Sequence, residues 1–158
     1  MKSALSESKM VEIKNAAGNV IFTYAGADSL DFDSAELSGA ILKGAILEGA
    51  NFSDANLTGA CLDDADLYWA MFFRANLRRT SLRRALLKGC DLKEADLSEA
   101  DLRGANLGPD NVGGFTQLEG ANLSNCRIEG TIFEGATYDA KTILPVGLRP
   151  EDHKMKLA

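Results

Sequence analysis

At 158 residues the chain is the size of one domain, and its 46% apolar and 25% charged residues are ordinary for a soluble globular protein. A formal net charge of −6 favours solubility and argues against simple binding to phosphate backbones. The 3 cysteines, Cys61, Cys90 and Cys126, are widely spaced with no Cys-x-x-Cys pair, which points to structural thiols rather than a disulfide framework or metal site.

Met1 to Lys14 holds no apolar stretch resembling a signal peptide, and nothing approaches about 18 consecutive apolar residues. The expected compartment is therefore the cytoplasm, with no membrane partner. Residues 11–24 predict a hairpin: Val11 and Ile13, a turn at Asn15-Ala-Ala-Gly-Asn19, then Val20, Phe22 and Tyr24. Its expected role is to cover one end of the segment that begins at Leu30, making 1–29 an N-terminal capping segment.

From Phe32 to Leu107 a leucine or phenylalanine returns every fifth residue, and the residue two before it is Ala at 13 of 16 positions. A period of five fits neither the 3.6 of a helix nor the 2.0 of a flat strand. It identifies a repeat architecture. The small residue and the centre are two apart, so in extended backbone they point the same way. Asp, Asn, Ser, Gly, Lys, Arg and Glu dominate the rest. A segment that turns a corner every five residues with one side always inward winds into a solenoid.

The number of units per turn is testable. A lag of 20 residues puts Phe32, Phe52 and Phe72 in one column, followed by Leu92. Among the two positions after each centre, the same lag gives six opposite-sign pairs: Lys43/Asp63, Asp54/Arg74, Asp63/Arg83, Asp64/Arg84, Arg74/Glu94 and Arg79/Glu99. It gives one like-sign pair, Arg83/Arg103, whereas a lag of 15 gives four of each. Opposite charges on neighbouring strands stabilise, so four units per turn is the better reading. After Leu107 the rhythm breaks over 108–117 and resumes at Leu118. A one-residue bulge near Gly113 and Gly114 is the simplest account, returning Val112 and then Phe133 to the phenylalanine column; a functional loop is the alternative.

Units such as Ala55-Asn-Leu-Thr-Gly59, Ala75-Asn-Leu-Arg-Arg79 and Ala95-Asp-Leu-Ser-Glu99 resemble the pentapeptide repeat family. The resemblance implies an all-β chain folded as a right-handed quadrilateral parallel β-helix, with four repeats per coil. Over 30–143 the array would make about five and a half coils, roughly 26 Å tall at strand spacing. The tail 144–158 is the expected C-terminal cap, opened by Thr142-Ile-Leu-Pro-Val-Gly-Leu-Arg-Pro150, in which Thr142, Pro145, Gly147 and Pro150 match a closing segment. Leu144 and Leu148 stand where aromatics are usual.

No enzyme motif, metal spacing or cofactor site emerges, and His153 lies in the polar tail. The arginine-rich stretch around Arg74, Arg79, Arg83 and Arg84 reads chiefly as inter-coil ion pairs with Asp54, Asp63, Asp64, Glu94 and Glu99, and secondarily as a patch for nucleic acid or an acidic partner. Tyr68, Trp69, Met71 and Phe73 occupy outward positions around one corner, with Arg74 beside them. Core demand does not explain them, and such clusters mark contact surfaces. The expected function is a non-enzymatic scaffold or protein-interaction module. Its expected partner is another protein or a second copy of the chain. The resemblance also implies an alternative, a duplex-mimicking protein that binds DNA gyrase and protects it from quinolones. The array from Asp31 to Asp139 has 18 acids and 10 bases, and the basic stretch interrupts it.

Overall fold

The computed structural model describes residues 10–25 and 30–158; residues 1–9 and 26–29 of the capping segment, and the side chains of Met10, Val11, Tyr24 and Ala25, lie outside the described set. The strand-to-strand contacts of the array are single bridges. Asp31 bridges Asn51 in parallel, Glu36 bridges Asn56, Ile41 bridges Cys61 and Ile46 bridges Asp66, and the pattern repeats up to Leu86 and Asn106. Every bridge there spans 20 residues, so four units separate stacked neighbours and the bridges fall in four columns. We number the columns by their first centres: Phe32, Leu37, Leu42 and Leu47.

Each unit closes on a β-turn in which the N–H of the small residue bonds to the carbonyl of the preceding centre, as from Ala35 to Phe32 at 3.0 Å and from Ala70 to Leu67 at 3.0 Å. The residue two after the centre has a positive φ throughout, for example 54° at Asp54 and 67° at Gly59. That is the type II turn, whose third residue sits in the left-handed region. The demand explains why Gly is the commonest residue there; Arg74, Arg79, Arg84, Glu94 and Glu99 also accept it with flexible, solvent-reaching side chains, and Trp69 is the one aromatic residue among them.

The centres form one core. Phe32 and Phe52 stack with centroids 4.8 Å apart, and Phe52 and Phe72 at 5.0 Å. Ala predominates at the small position because the turn backbone passes close by. Where Thr or Cys replaces it, the side chain donates to a carbonyl of the coil below. Thr80 Oγ1 donates to Leu57 O at 2.9 Å, Thr116 to Leu87 O at 2.7 Å, and the thiols of Cys90 and Cys126 to Leu67 O and Leu97 O. A buried donor without such an acceptor would cost about 1–3 kcal/mol. Burial pushes both thiols up, Cys126 to about 12, so neither is a thiolate at neutral pH.

At the N-terminal end β1 (Met10–Lys14) and β2 (Val20–Ala25) form an antiparallel hairpin. Asn15 bridges Ala40, and the Ile41 N–H donates to Lys14 O at 2.8 Å. Ile13 is buried, and the Phe22 ring lies 5.7 Å from Phe32, closing that end of the core. At the other end β3 (Thr137–Tyr138) pairs in parallel with β4 (Lys156–Leu157) after a 3₁₀ helix, Pro150–His153. Leu148 is buried without an aromatic residue in its place. Among the described residues no helix is long and apolar enough to cross a membrane.

The break after Leu107 departs from the simple bulge. Asp91 bridges Gln117, Asp96 bridges Asn122, Asp101 bridges Arg127 and Asn106 bridges Ile132, each across 26 residues. Six residues are therefore inserted, not one. Leu118 takes the place above Leu92, and Phe133 stands above Leu107 in the fourth column. Val112, expected inside, is 76% exposed. The extra length leaves the coil as a loop at the corner between the fourth and first columns, because the bridges on either side of it stay in register.

Candidate functional site: a loop seated on an aromatic corner

The fourth corner stacks Gly49, Trp69 and Gly89 in register, and the inserted loop lies above them. Trp69 takes the left-handed conformation with φ 56°. A left-handed turn costs a residue with a side chain roughly 1–2 kcal/mol, so other contacts must hold the indole. Its Nε1 donates to Asp110 Oδ2 at 2.7 Å. Tyr68 Oη accepts the Asn111 N–H at 3.0 Å, and the two aromatic rings meet edge-on at 4.9 Å.

Asp110 organises the loop around this contact. Its other carboxylate oxygen accepts the N–H groups of Val112 at 2.9 Å and Gly114 at 2.6 Å, and its own N–H donates to Gly114 O at 2.9 Å. The indole N–H first, and then these backbone donors, hold the Asp110 carboxyl below the usual carboxylate range.

Two glycines make the seat. A Cβ on Gly89 would stand 2.6 Å from Trp69 Cδ1, so the indole crosses the coil above only because that residue has no side chain. On the far side of the loop, a Cβ on Gly135 would stand 2.7 Å from Phe115 Cδ1. The Phe115 ring is covered in turn by Lys156, whose Nζ lies 3.6 Å from the ring centroid. The loop is thus clasped from below by Trp69 and Tyr68 and from above by the C-terminal strand β4.

The five residues expected to form a contact surface separate into two groups. Tyr68 and Trp69 turn toward the loop, although Trp69 keeps 41% of its surface exposed. Met71 is 43% exposed and Phe73 half-buried on the first column, with the Arg74 guanidinium 5.8 Å over the Phe73 ring. Their spacing alone did not reveal the loop as their neighbour, because it lies 41 residues further along the chain.

The expected ion pairs are met in part. Arg74 reaches Asp54 at 3.2 Å, and Arg84 grips Asp64 through two bonds of 2.7 and 2.8 Å. Glu99 pairs with Arg78 at 3.3 Å rather than with Arg79. Asp63 accepts the Arg83 backbone N–H and the Ser81 hydroxyl instead of a Lys43 or Arg83 side chain. Among the described residues Arg79, Arg83 and Glu94 make no ion pair: nearer backbone and hydroxyl donors occupy Asp63, while Arg74 leans on Asp54 and Phe73. Arg103 instead closes on Asp101 at 2.6 Å, which separates it from Arg83. His153 packs edge-on against Phe133 at 5.8 Å, and among the described residues no group of His, Cys, Asp and Glu is placed to hold a metal.

The pattern of the pentapeptide repeats matches residues 31–67 and 70–108 in eight copies. The match skips only Tyr68 and Trp69 and stops where the loop begins. A pentapeptide repeat protein of the cyanobacterium Cyanothece 51142 is 27% identical, over 84% of this chain and 78% of its own, with a TM-score of 0.56. One from the Arabidopsis thaliana thylakoid lumen is 29% identical over 77% and 73%, with a TM-score of 0.48. Another, from Nostoc PCC 7120, is 28% identical over 82% and 86%, also at 0.48. No functionally curated protein matches the chain. The repeats, their period-20 bridges and the likeness to the Cyanothece structure agree: residues 31–108 form an array of the pentapeptide repeat family, and the chain has its β-helical fold.

Proposed function

We propose that the protein is a non-enzymatic interaction module that offers a partner protein the fourth corner, with Val112 at the loop tip and Trp69 and Met71 beside it. The scaffold in this reading is a right-handed, four-sided coil of about five and a half turns, roughly 26 Å tall. One observation carries the proposal. A bulky residue stands in a left-handed turn position, beneath a glycine that makes room for it, to hold a loop whose apolar tip is 76% exposed. Sites where backbone cost is accepted and an apolar tip is held out in water are contact surfaces more often than core features. A loop fixed before binding loses little ordering entropy on contact.

The test replaces residues 108–115 by Ser-Gly, which removes the six extra residues and restores a bridge interval of 20. This variant should keep its β-sheet circular dichroism and lose a partner that the intact protein captures from the cell that makes it. Retention of that partner at undiminished yield would refute the assignment of the corner.

A further inference from the structure

The hairpin presents a second surface, independent of the loop. In its two-stranded sheet β1 pairs only with β2, so the outer edge of β2 has no neighbour among the described strands. The sequence of β2, Val-Ile-Phe-Thr-Tyr-Ala, has no charge, no proline and no glycine. Exposed strand edges are normally guarded by charge or proline against pairing with another chain. Elsewhere this protein follows that rule. The first coil carries Asp31, Asp33, Glu36 and Glu48, all exposed, β1 carries Glu12 and Lys14, and β4 carries Lys156. Among the described strands only β2 has an open edge without such a guard; β3, also uncharged, is paired with β4 and bridged to Gln117.

We propose that β2 pairs antiparallel with β2 of a second copy, joining two hairpins into a four-stranded sheet across a two-fold axis. The charges identify the occupant. An uncharged strand meets its own copy without opposing like charges: centred on Thr23, the pairing sets Thr23 against Thr23, Phe22 against Tyr24 and Ile21 against Ala25, so that residues of one face meet. Behind it Glu12 and Lys14 neutralise each other at 3.2 Å, so each hairpin approaches as a neutral unit although the chain carries −6. Two-fold pairing uses up both edges and stops at the dimer. A six-residue edge is about 20 Å long and buries less than the roughly 1,200 Å² of a stable interface. The dimer is therefore weak, with a dissociation constant on the order of tens of micromolar.

Sedimentation equilibrium of the full chain from about 5 to 300 µM tests this. The expected result is a monomer–dimer equilibrium whose constant changes less than about threefold between low and high salt, because no charges meet. Val20→Lys with Thr23→Lys, both at exposed positions, should weaken it at least about tenfold at unchanged circular dichroism. Val20→Thr with Thr23→Val should leave it intact. A monomer throughout the range, a dimer that survives the lysines, or assembly beyond the dimer would each overturn the proposal. The Ser-Gly loop replacement should still dimerise, which separates this surface from the partner corner.

Discussion

The third corner of the coil carries Gly44, Asp64, Arg84 and Gly104 in register, while the fourth carries Gly49, Trp69 and Gly89 below the inserted loop. All seven residues share the left-handed turn position. At the third corner Arg84 bonds to the coil directly beneath it, through two hydrogen bonds to Asp64, with both side chains partly open to water. At the fourth, Trp69 reaches past Gly89 to a residue 41 positions on. The first arrangement needs only complementary neighbours, and water can replace it. The second needs a missing side chain on the intervening coil, a carboxylate at one loop position and an indole at the other.

The sharpest break between the two corners should come at the glycines. Gly49 and Gly89 have nearly equal φ, 68° and 69°, but only Gly89 has a neighbour within contact range of an added Cβ. Gly49→Ala should cost about 1 kcal/mol for the left-handed backbone alone. Gly89→Ala should cost about 2–4 kcal/mol, because the indole must also leave its seat. In a Trp69→Gly background most of the difference should vanish, leaving only the approach of the added Cβ to Asp110 Oδ2 at 3.1 Å. Denaturant unfolding of the four variants checks this, and equal losses in the wild-type background would mean that the clasp contributes nothing.

A smaller effect is expected where the repeat breaks its own rule inside the core. Thr80→Ala restores the usual residue and removes one bond to Leu57 O, a carbonyl that still accepts the Ala60 N–H at 2.9 Å. The loss should be about 1 kcal/mol in thermal or denaturant unfolding.

The loop should also respond to acid. The Asp110 carboxyl is depressed by the Trp69 indole N–H and by the loop amides. A depressed carboxyl stabilises the folded form above its ordinary value near pH 4 and loses that contribution as pH falls through the lowered one. Trp69 is the only tryptophan, so its fluorescence reports the contact directly. The emission should shift below about pH 4, and Asp110→Asn should abolish the shift. The smallest effect belongs to the third corner, where Asp64→Asn should leave the melting temperature unchanged within error.

The coil was legible in the sequence because inward and outward positions alternate at fixed intervals, and a lag of 20 aligned the phenylalanines and the charges together. The side-chain partners were less so. Lag arithmetic compares equivalent positions, whereas Arg78 reaches Glu99 diagonally and Asp63 is taken by a backbone N–H. The aromatic corner stood out as a departure from the repeat, but its seat did not. Six extra residues are one more than a whole five-residue unit, so a single extra residue satisfied the pattern as well as six did. What distinguishes them is which strands bridge, and bridging leaves no mark on composition. A signal was present in Gly89 and Gly135: each lacks a side chain where an aromatic ring from a neighbouring segment must cross.

The most direct test of the clasp is amide hydrogen exchange at Asn111, Val112 and Gly114, compared between the wild type and Trp69→Gly. Glycine already occupies this corner at positions 49 and 89, so the coil tolerates it. The three loop amides should exchange at least about tenfold faster in the variant, while those of Asp91 and Gln117, bonded between coils, keep their protection. Loop protection unchanged by loss of the indole would contradict the account.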